Sequence, residues 1–381
     1  MNCLKGLRAS IAALAAATIG LSAFAQTDPI VVGATVPLTG QAAMTGAQYH
    51  NSLKLAEEDI NKTGGINGRP LKIVFQDSGT ANATAVNAFV KVVQESKPRF
   101  VFLSSYSTHN MAVSPEVEKA AIPVMYAGGI DAVADLNNKW MFRIRPAESI
   151  AAKAMVAFAK SELKATKPGI LYVQNEAGQD GARVIAAELE ATGTAVVAKE
   201  AYAFADKDFS AQLLRLREKG ADVILMIVYP QDGALILRQA KTLGIKVPII
   251  SSSASFVPAA LQLVSPADLV NVYGAYDVLV QPSVGGRVGE FARRYKDKFG
   301  IDADPFGLAY YDGAMLMAEG MRKVGLDANA IRDWLASVRN WPGIGHEFSF
   351  NERREGVHDV SIIKAKPGTK ELEMVRHLKL R

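Results

Sequence analysis

Cysteine is almost absent from this 381-residue sequence, since Cys3 is the only one. It precedes the apolar segment of the N-terminal leader, so it cannot be a lipid-anchor cysteine at a cleavage site. The chain after the leader has no cysteine for disulfide bonds or for metal ligation. We therefore expect a large hydrophobic core to provide the stability, and 49% hydrophobic residues are ample for one.

Long apolar runs are also lacking, because none reaches the roughly 18 residues of a transmembrane helix. The apolar residues 11–21 follow Lys5 and Arg8 and precede the small-residue pattern at 23–25, as in a cleavable signal peptide. We predict that residues 1–25 are this signal peptide and that the mature protein is periplasmic. A membrane-spanning helix is the less favoured interpretation, and a lipoprotein is excluded.

Charge clusters and catalytic motifs are missing as well. The formal net charge is +5, or +3 without the two leader cations, and the charges are dispersed, which argues against a nucleic-acid partner. The five histidines are scattered without metal-ligand spacing. No Gly-x-Ser-x-Gly elbow, phosphate loop or dinucleotide-binding glycine pattern occurs. We expect no metal, no cofactor and no enzymatic activity.

Alternating apolar strands and amphipathic helices make up most of the chain. Strands are predicted at 30–36, 71–75, 99–103 and 123–127, with helices at 46–61 and 83–95 between the first three. This order predicts a parallel sheet with right-handed crossovers, an α/β fold.

A second, similar array begins after residue 144 and runs to about 276. Its helices are predicted at 150–163, 181–191, 209–219 and 233–243, and its strands at 169–173, 195–202, 223–228 and 247–250. Two successive arrays predict two lobes. Three further helices (288–299, 305–324 and 331–338) follow, then a β-hairpin at 344–363 that turns at 351–356, and a last strand near 372–375.

The segment from residue 97 to 130 is the predicted ligand-binding region. It reads as strand, polar loop (104–110), short helix and strand, and the two strands bring their carboxyl ends to one edge of the sheet. Ligands of open α/β sheets bind at that edge. Ser114-Pro115 is a second good helix start, so the helix is either continuous or broken there.

Several segments resemble a known family. IVVGATVPLTG, LAEEDINKTGGINGRPLKIVFQDS, DKDFSAQLLRLREKGADVILM and ILRQAKTLG resemble the periplasmic solute-binding proteins of branched-chain amino acid ABC transporters, such as the leucine/isoleucine/valine-binding protein. The resemblance implies a type I periplasmic-binding-protein fold, with two Rossmann-like lobes joined by three hinge crossovers. It places residues 27–146 plus 277–350 in the N-terminal lobe and 147–276 plus 351–381 in the C-terminal lobe.

The family's binding site carries over to particular positions. Ser107, with Tyr106 and Thr108 beside it, matches the serine at a helix start that holds the ligand's carboxylate, and Gly128 matches a small residue after the next strand. A helix N-terminus suits a carboxylate because its N–H groups lack partners. Taken alone, Ser107 and Thr108 are as well explained as ordinary helix caps.

Three positions depart from the family's amino-acid pattern. Ile130 replaces a threonine hydroxyl, Ala177-Gly178 replaces tyrosine-glycine, and the segment 251–253, which includes Ser253, lacks the acid that pairs with the ligand's ammonium. Tyr229 does match an aromatic residue that closes over the ligand.

The missing acid bears on the ligand, because a buried ammonium without a counter-charge costs several kcal/mol. Either Asp277, Glu176 or Asp180 replaces that acid, or the ligand has no ammonium, which we favour. Aromatic residues that suit an apolar carboxylate are predicted around the cleft: Tyr106, His109, Tyr126, Tyr229 and Phe306.

The resemblance implies a monomeric substrate-binding component of an ABC importer. It would capture a small carboxylate-bearing solute, an amino acid or an aromatic or other organic acid, and deliver it to permease subunits. The same fold also serves as a ligand sensor for a receptor or regulator, and export alone does not separate the two roles.

Overall fold

The computed structural model describes residues 28–204 and 206–380, and the predicted signal peptide lies outside them. The described residues form a mixed α/β structure with two main sheets, of five and seven strands. No helix in this part of the chain is both long and apolar enough to cross a membrane.

The first sheet is entirely parallel, with strand order β2-β1-β3-β4-β5. Its strands are β1 (Ile30–Val36), β2 (Leu71–Asp77), β3 (Val101–Phe102), β4 (Val124–Tyr126) and β5 (Met141–Arg143). The helices between them are α1 (Ala43–Lys62), α2 (Asn82–Ser96), α3 (Ser107–Ala120) and the short α4 (Asp131–Asp135). The β-α order predicted for this region is confirmed, and α3 runs unbroken through Pro115.

The second sheet has the order β14-β13-β10-β9-β8-β6-β7. Its strands are β6 (Pro168–Val173), β7 (Ala198–Tyr202), β8 (Val223–Ile227), β9 (Ile249–Ser252), β10 (Val272–Tyr276), β13 (Asp359–Ala365) and β14 (Leu372–Lys379). The helices are α5 (Glu148–Ser161), α6 (Glu176–Ala191), α7 (Ser210–Glu218), α8 (Pro230–Thr242) and α9 (Pro258–Leu261). The five central strands are parallel, and β13 and β14 add to one side in antiparallel fashion.

The later helices pack on the first sheet. These are α10 (Gly286–Phe299), α11 (Pro305–Val324) and α12 (Ala328–Ser337). Phe291, Leu308 and Ile331 from these helices share one core with Val32 and Phe102 of the first sheet, and all five are at most 1% exposed. Burying side chains of this size contributes roughly 1.5–3 kcal/mol each.

The predicted hairpin at 344–363 is wrong. Instead β11 (Trp341–Pro342) pairs with β12 (Glu347–Phe348), while β13 pairs with β10 and β14. The residues 351–356 connect the two pairs, and Glu355 there bridges to Arg143 at the end of β5. The alternating apolar pattern therefore does mark strands, but the strands of its two halves belong to different sheets.

The chain passes between the two sheets three times: after β5, after β10 and after β12. The parallel strands of both sheets end on the sides that face each other. In open α/β sheets the loops beyond the carboxyl ends carry the binding residues. The fold thus places two sets of such loops across a common cleft.

Candidate functional site

A cavity lies in this cleft, walled by loops from both sheets. It offers about 130 Å³ to the centres of water-sized atoms. One water molecule needs roughly 10–15 Å³ by such a measure, so the cavity suits a solute of roughly ten non-hydrogen atoms. This is the size of a single amino acid or a one-ring organic acid.

Most of the site residues predicted from sequence meet at this cavity. Six of them line it: Tyr106, Ser107, Ile130, Tyr229, Ser253 and Phe306. Thr108 and Gly128 lie one position from the lining residues Ser107 and Gly129 but do not line the cavity themselves. Tyr126 also stays outside, since it is 1% exposed and packs under the Arg143 guanidinium.

Ser107 is the first residue of α3, and its side chain joins two loops. Its Oγ accepts a hydrogen bond from the Ile130 backbone N–H at 3.2 Å. The residue before the helix, Tyr106, makes no side-chain capping bond, and neither Ser107 nor Thr108 occupies the cap position. The first N–H groups of α3 therefore have no side-chain cap, and the Ser107 hydroxyl hydrogen is free to be donated into the cavity.

Gly128 allows the loop after β4 to lie directly against the start of α3. A Cβ atom at this position would be 2.2 Å from Asn110 Oδ1 and 3.0 Å from Ser107 Cα. Asn110 is held in place by donating from Nδ2 to the Ser104 carbonyl at 3.0 Å. Gly128 thus packs against Ser107 on the side away from the cavity. It positions Ser107 but does not form part of the cavity surface.

Two tyrosines face each other across the cleft, one from each side. The rings of Tyr106 and Tyr229 have centroids 6.3 Å apart and are inclined by 21°. Tyr106 also packs on His109, which lies behind it and away from the cavity, and Tyr229 packs edge-on against Phe204. Burial raises the pKa of Tyr106 to about 12, so its hydroxyl stays protonated at neutral pH.

The wall contributed by the second sheet is small and mainly apolar. Ala177 and Gly178 line it at the start of α6, and Ser252 and Ser253 line it at the end of β9. A Cβ atom at Gly178 would be 1.9 Å from the Val173 carbonyl oxygen, so only glycine lets the helix approach the strand end this closely. The α6 helix begins at Glu176, not at Gly181 as predicted, because the Asn175 side chain caps it by accepting from the Gly178 N–H at 2.9 Å.

Arg145 is a lining residue that the sequence did not indicate. Its guanidinium donates two hydrogen bonds to the Asp277 carboxylate, at 2.7 and 3.0 Å, and one to Glu148 at 3.0 Å. It also lies over the Phe306 ring, 4.7 Å from the centroid. Burial opposes its charge, but the two carboxylates outweigh that effect and raise the pKa of Arg145.

This group of charges joins two of the chain crossings. Arg145 follows β5 and Asp277 follows β10, and both side chains are nearly fully buried. No signal in a single sequence pairs two residues 132 positions apart. Glu148, on the first turn of α5, lines the cavity as well.

The acids proposed as replacements for the missing one have other positions. Asp277 is already neutralised by Arg145, and Glu176 and Asp180 do not line the cavity. Asp180 instead pairs with Arg183 at 2.6 Å. Of the carboxylates in residues 28–204 and 206–380, Glu148 is the one among the cavity's lining residues. Across those ranges no cluster of three or more His, Cys, Asp or Glu residues is placed to hold a metal ion.

Asp304 is a second buried carboxylate near this charge group. It caps α11 by accepting from the Gly307 N–H at 2.7 Å, and it is 3% exposed. Burial raises its pKa to about 7, against the lowering effect of the Gly307 hydrogen bond and with a further increase from Asp277.

Sequence comparison identifies relatives along nearly the whole chain. The family model described as "Periplasmic binding protein" matches residues 29–370. The Leu/Ile/Val-binding protein homolog 7 of Brucella abortus is 27% identical over 365 residues, which cover 90% of each chain. Homolog 8 of the same organism is 27% identical over 307 residues, covering 77% of this chain and 75% of that protein.

Solved structures show the same fold. The branched-chain amino acid transporter substrate-binding protein LivJ from Streptococcus pneumoniae, in complex with isoleucine, superposes with a TM-score of 0.83 at 22% identity, covering 91% of this chain and 99% of that one. A solute-binding protein of an ABC transporter from Rhodopseudomonas palustris, in complex with 3,4-dihydroxybenzoic acid, superposes with a TM-score of 0.81 at 20% identity. The match covers 93% of this chain and 98% of that one.

These comparisons confirm the type I periplasmic-binding fold that the sequence segments implied. The relatives and structural neighbours are solute-binding proteins, not enzymes. This chain belongs to the periplasmic binding protein family.

Proposed function

We propose that this protein is the periplasmic solute-binding component of an ABC importer and that it captures a small carboxylate between two lobes. The observation that carries the proposal is the start of α3, where uncapped N–H groups and the Ser107 hydroxyl meet the cavity. A helix N-terminus stabilises an anion through these donors and through the helix dipole.

The ligand of this proposal has an apolar body and no ammonium group. The cavity wall includes Tyr106, Ile130, Tyr229 and Phe306, which favour an aromatic ring or another apolar group. Arg145 already neutralises Asp277, and the segment 251–253 offers hydroxyl groups only. A buried ammonium here would have to share Glu148, whose carboxylate already accepts from Arg145, whereas a carboxylate without an ammonium needs no such counter-charge.

Solved proteins of this fold bind both ligand classes, which makes either one structurally feasible. One neighbour was solved with isoleucine and another with 3,4-dihydroxybenzoic acid. Their identities to this chain, 22% and 20%, do not transfer a ligand. The choice between the two classes must come from the residues of this cavity.

An amino acid is the second candidate, and Glu148 is the observation that favours it. One of its oxygens accepts from Arg145 at 3.0 Å, and the side chain is 20% exposed, so the carboxylate still faces accessible space. In this alternative Glu148 would meet the ligand's ammonium. Glu148→Gln would then abolish amino-acid binding, whereas binding of a simple carboxylate would persist.

The lobe boundaries remain part of the proposal. Residues 27–146 plus 277–350 would form one lobe and 147–276 plus 351–381 the other, with closure by bending at the three crossings. The closed monomer would dock on permease subunits after export and cleavage of the signal peptide at residue 25. The Ser107 hydroxyl and the first N–H groups of α3, including that of Thr108, would hold the carboxylate, with Gly128 packed behind Ser107.

Deleting the gene in its native host tests the transport role. If the proposal is correct, uptake of one radiolabelled carboxylate falls to background and returns when the gene is restored. A restored copy with Ser107→Ala gives intermediate uptake. Normal uptake together with loss of solute-induced gene expression would contradict transport and support the sensing role instead.

A further inference from the structure

A second chamber adjoins the cavity on its outer side. It has the same volume, about 130 Å³, and shares Thr45, Tyr106, Tyr229 and Pro230 with the inner cavity. The two tyrosine rings therefore stand at the passage between the chambers. Nothing in the proposed capture of a one-ring acid uses this outer space.

The outer chamber collects exposed apolar side chains. Eight large hydrophobic residues of the described chain are exposed, and three of them line this chamber: Met44 (50% exposed), Phe204 (47%) and Leu263 (45%). Met44 lies on α1, while Phe204 and Leu263 follow β7 and α9 of the second sheet. Apolar side chains from both sides of a cleft that remain exposed indicate a surface that a ligand or partner covers.

A row of aromatic rings runs from the cavity to this surface. Tyr229 stands 6.3 Å from Tyr106 and 5.2 Å from Phe204, measured between ring centroids. A flat group needs about 3.5–4.0 Å to the carbon atoms on each side, or roughly 7–8 Å between two rings. A separation change of about 1 Å between Tyr106 and Tyr229 would therefore admit a planar group.

We propose that the ligand extends through both chambers, as an elongated apolar carboxylic acid with a second apolar unit beyond the tyrosine pair. This inference rests on the proposed function, because Ser107 and the start of α3 still hold the carboxylate. The body passes between Tyr106 and Tyr229, and the far end packs on Phe204, Leu263 and Met44. The four lining residues that the two chambers share favour a ligand over a protein partner as the occupant, because a ligand held in the inner cavity already contacts them.

The far wall of the outer chamber also has polar groups. Lys207 lines it, and its positive charge acts on the neighbouring Asp232 carboxylate. Asp232 lines it as well and is 4% exposed, with Oδ2 accepting from the Tyr202 hydroxyl at 3.1 Å. An oxygen at the far end of the ligand, such as an ether or hydroxyl, is therefore accommodated next to Lys207.

Calorimetry with a short and a long probe tests this inference. Benzoate fills only the inner cavity, whereas 4-benzyloxybenzoate has a second ring that reaches the outer chamber. We expect the long acid to bind at least about tenfold more tightly than benzoate, because a second ring becomes buried. Phe204→Ala combined with Leu263→Ala should remove most of this advantage and change benzoate binding less than about twofold.

A blocking variant and a control complete the experiment. Leu263→Trp, which fills the outer chamber, should reduce binding of the long acid and leave benzoate unaffected. Val270→Ala is the control, because Val270 is 70% exposed and lines neither chamber. It should change the affinity for neither acid.

The outcomes separate the two proposals. If benzoate binds and the long acid binds no better, or if the Phe204 and Leu263 changes affect both acids equally, the extended ligand is refuted while carboxylate capture stands. If neither acid binds to ligand-free protein, carboxylate capture itself is refuted, and the extended ligand with it.

Discussion

The Ser107 hydroxyl accepts one hydrogen bond and has a hydrogen left to donate. Its oxygen accepts from the Ile130 N–H, and its hydrogen is available to a carboxylate in the cavity. The departure at Ile130 is informative in this setting, because that residue lines the cavity with an apolar side chain and uses its N–H to fix Ser107. In the proposed site, Ser107 is the carboxylate donor and Ile130 contributes no hydroxyl.

Ser107→Ala should weaken binding of the carboxylate ligand by about 1–3 kcal/mol, or about 5- to 150-fold, because one carboxylate oxygen loses its donor. Isothermal titration of ligand-free protein measures this effect. Ser337→Ala, at an exposed serine on α12 away from the cavity, is the control and should bind as the parent does. An unchanged affinity in Ser107→Ala would remove Ser107 from the site.

Asp304 predicts a pH dependence of stability. Its pKa is raised from 3.8 to about 7 in the folded protein, so between about pH 4 and 7 the folded state retains a proton that the unfolded state releases. The free energy of unfolding contributed by this group therefore falls as pH rises through that window. Asp304→Asn cannot titrate and keeps an oxygen for the Gly307 N–H, so it should gain stability relative to the parent as pH rises, by up to about 4 kcal/mol.

Urea unfolding at pH 4.5 and pH 7.5 measures that difference. Asp327→Asn is the matched control, because Asp327 also caps a helix, by accepting from the Ala330 N–H at 2.9 Å, but it is exposed. The control should show no comparable change between the two pH values. If Asp304→Asn changed the free energy of unfolding by the same amount at both pH values, titration of Asp304 between them would be excluded.

At the scale of elements, the Arg145–Asp277 pair connects the segment after β5 to the segment after β10. Replacing one member leaves the other buried and charged. We expect Arg145→Met to cost about 3–5 kcal/mol in unfolding free energy, and Arg145→Met with Asp277→Leu to cost clearly less than the two single changes together.

A double-mutant cycle in urea measures this coupling. The exposed pair Lys296–Asp302, at 2.9 Å, serves as the reference and should give less than about 1 kcal/mol. Strictly additive effects at Arg145 and Asp277 would show that the buried pair does not connect the two crossings energetically.

Local sequence signals predicted elements well where start and stop residues were clear. The α11 helix has the predicted bounds, Pro305–Val324, since Asp304 and Pro305 begin it and Gly325 ends it. The predicted start of α6 at Gly181 is wrong, because Asn175 caps the helix and the glycines at 178 and 181 lie within it. The pattern at 344–363 gave the strands but not their partners, which lie on different sheets.

The sequence predicts the lining residues in two ways. The polar loop with Tyr106 and Ser107 follows from one β-α-β unit, whereas Ile130, Tyr229 and Ser253 follow from the resemblance to the family. Arg145 and Glu148 were missed, because what makes them part of the site is a charge group closed by Asp277 from a distant crossing. Such contacts depend on how the two sheets face each other, which periodicity does not encode.

At the scale of the whole molecule, the fold brings two loop sets together around one small cavity. The proposed carboxylate donors come from the first sheet, and the second sheet with its helices supplies Tyr229, a mainly apolar wall and Glu148, whose carboxylate already accepts from Arg145. A ligand that contacts both sides stabilises the closed form by its binding free energy. The account therefore turns on one chemical question, which is whether the ligand carries an ammonium.

Calorimetric titration of refolded, ligand-free protein with leucine and with benzoate answers that question most directly. The account predicts that benzoate, a carboxylate with an apolar body and no ammonium, binds measurably and that leucine does not compete with it. Micromolar binding of leucine would contradict the account, and loss of that binding in Glu148→Gln would assign the counter-charge to Glu148.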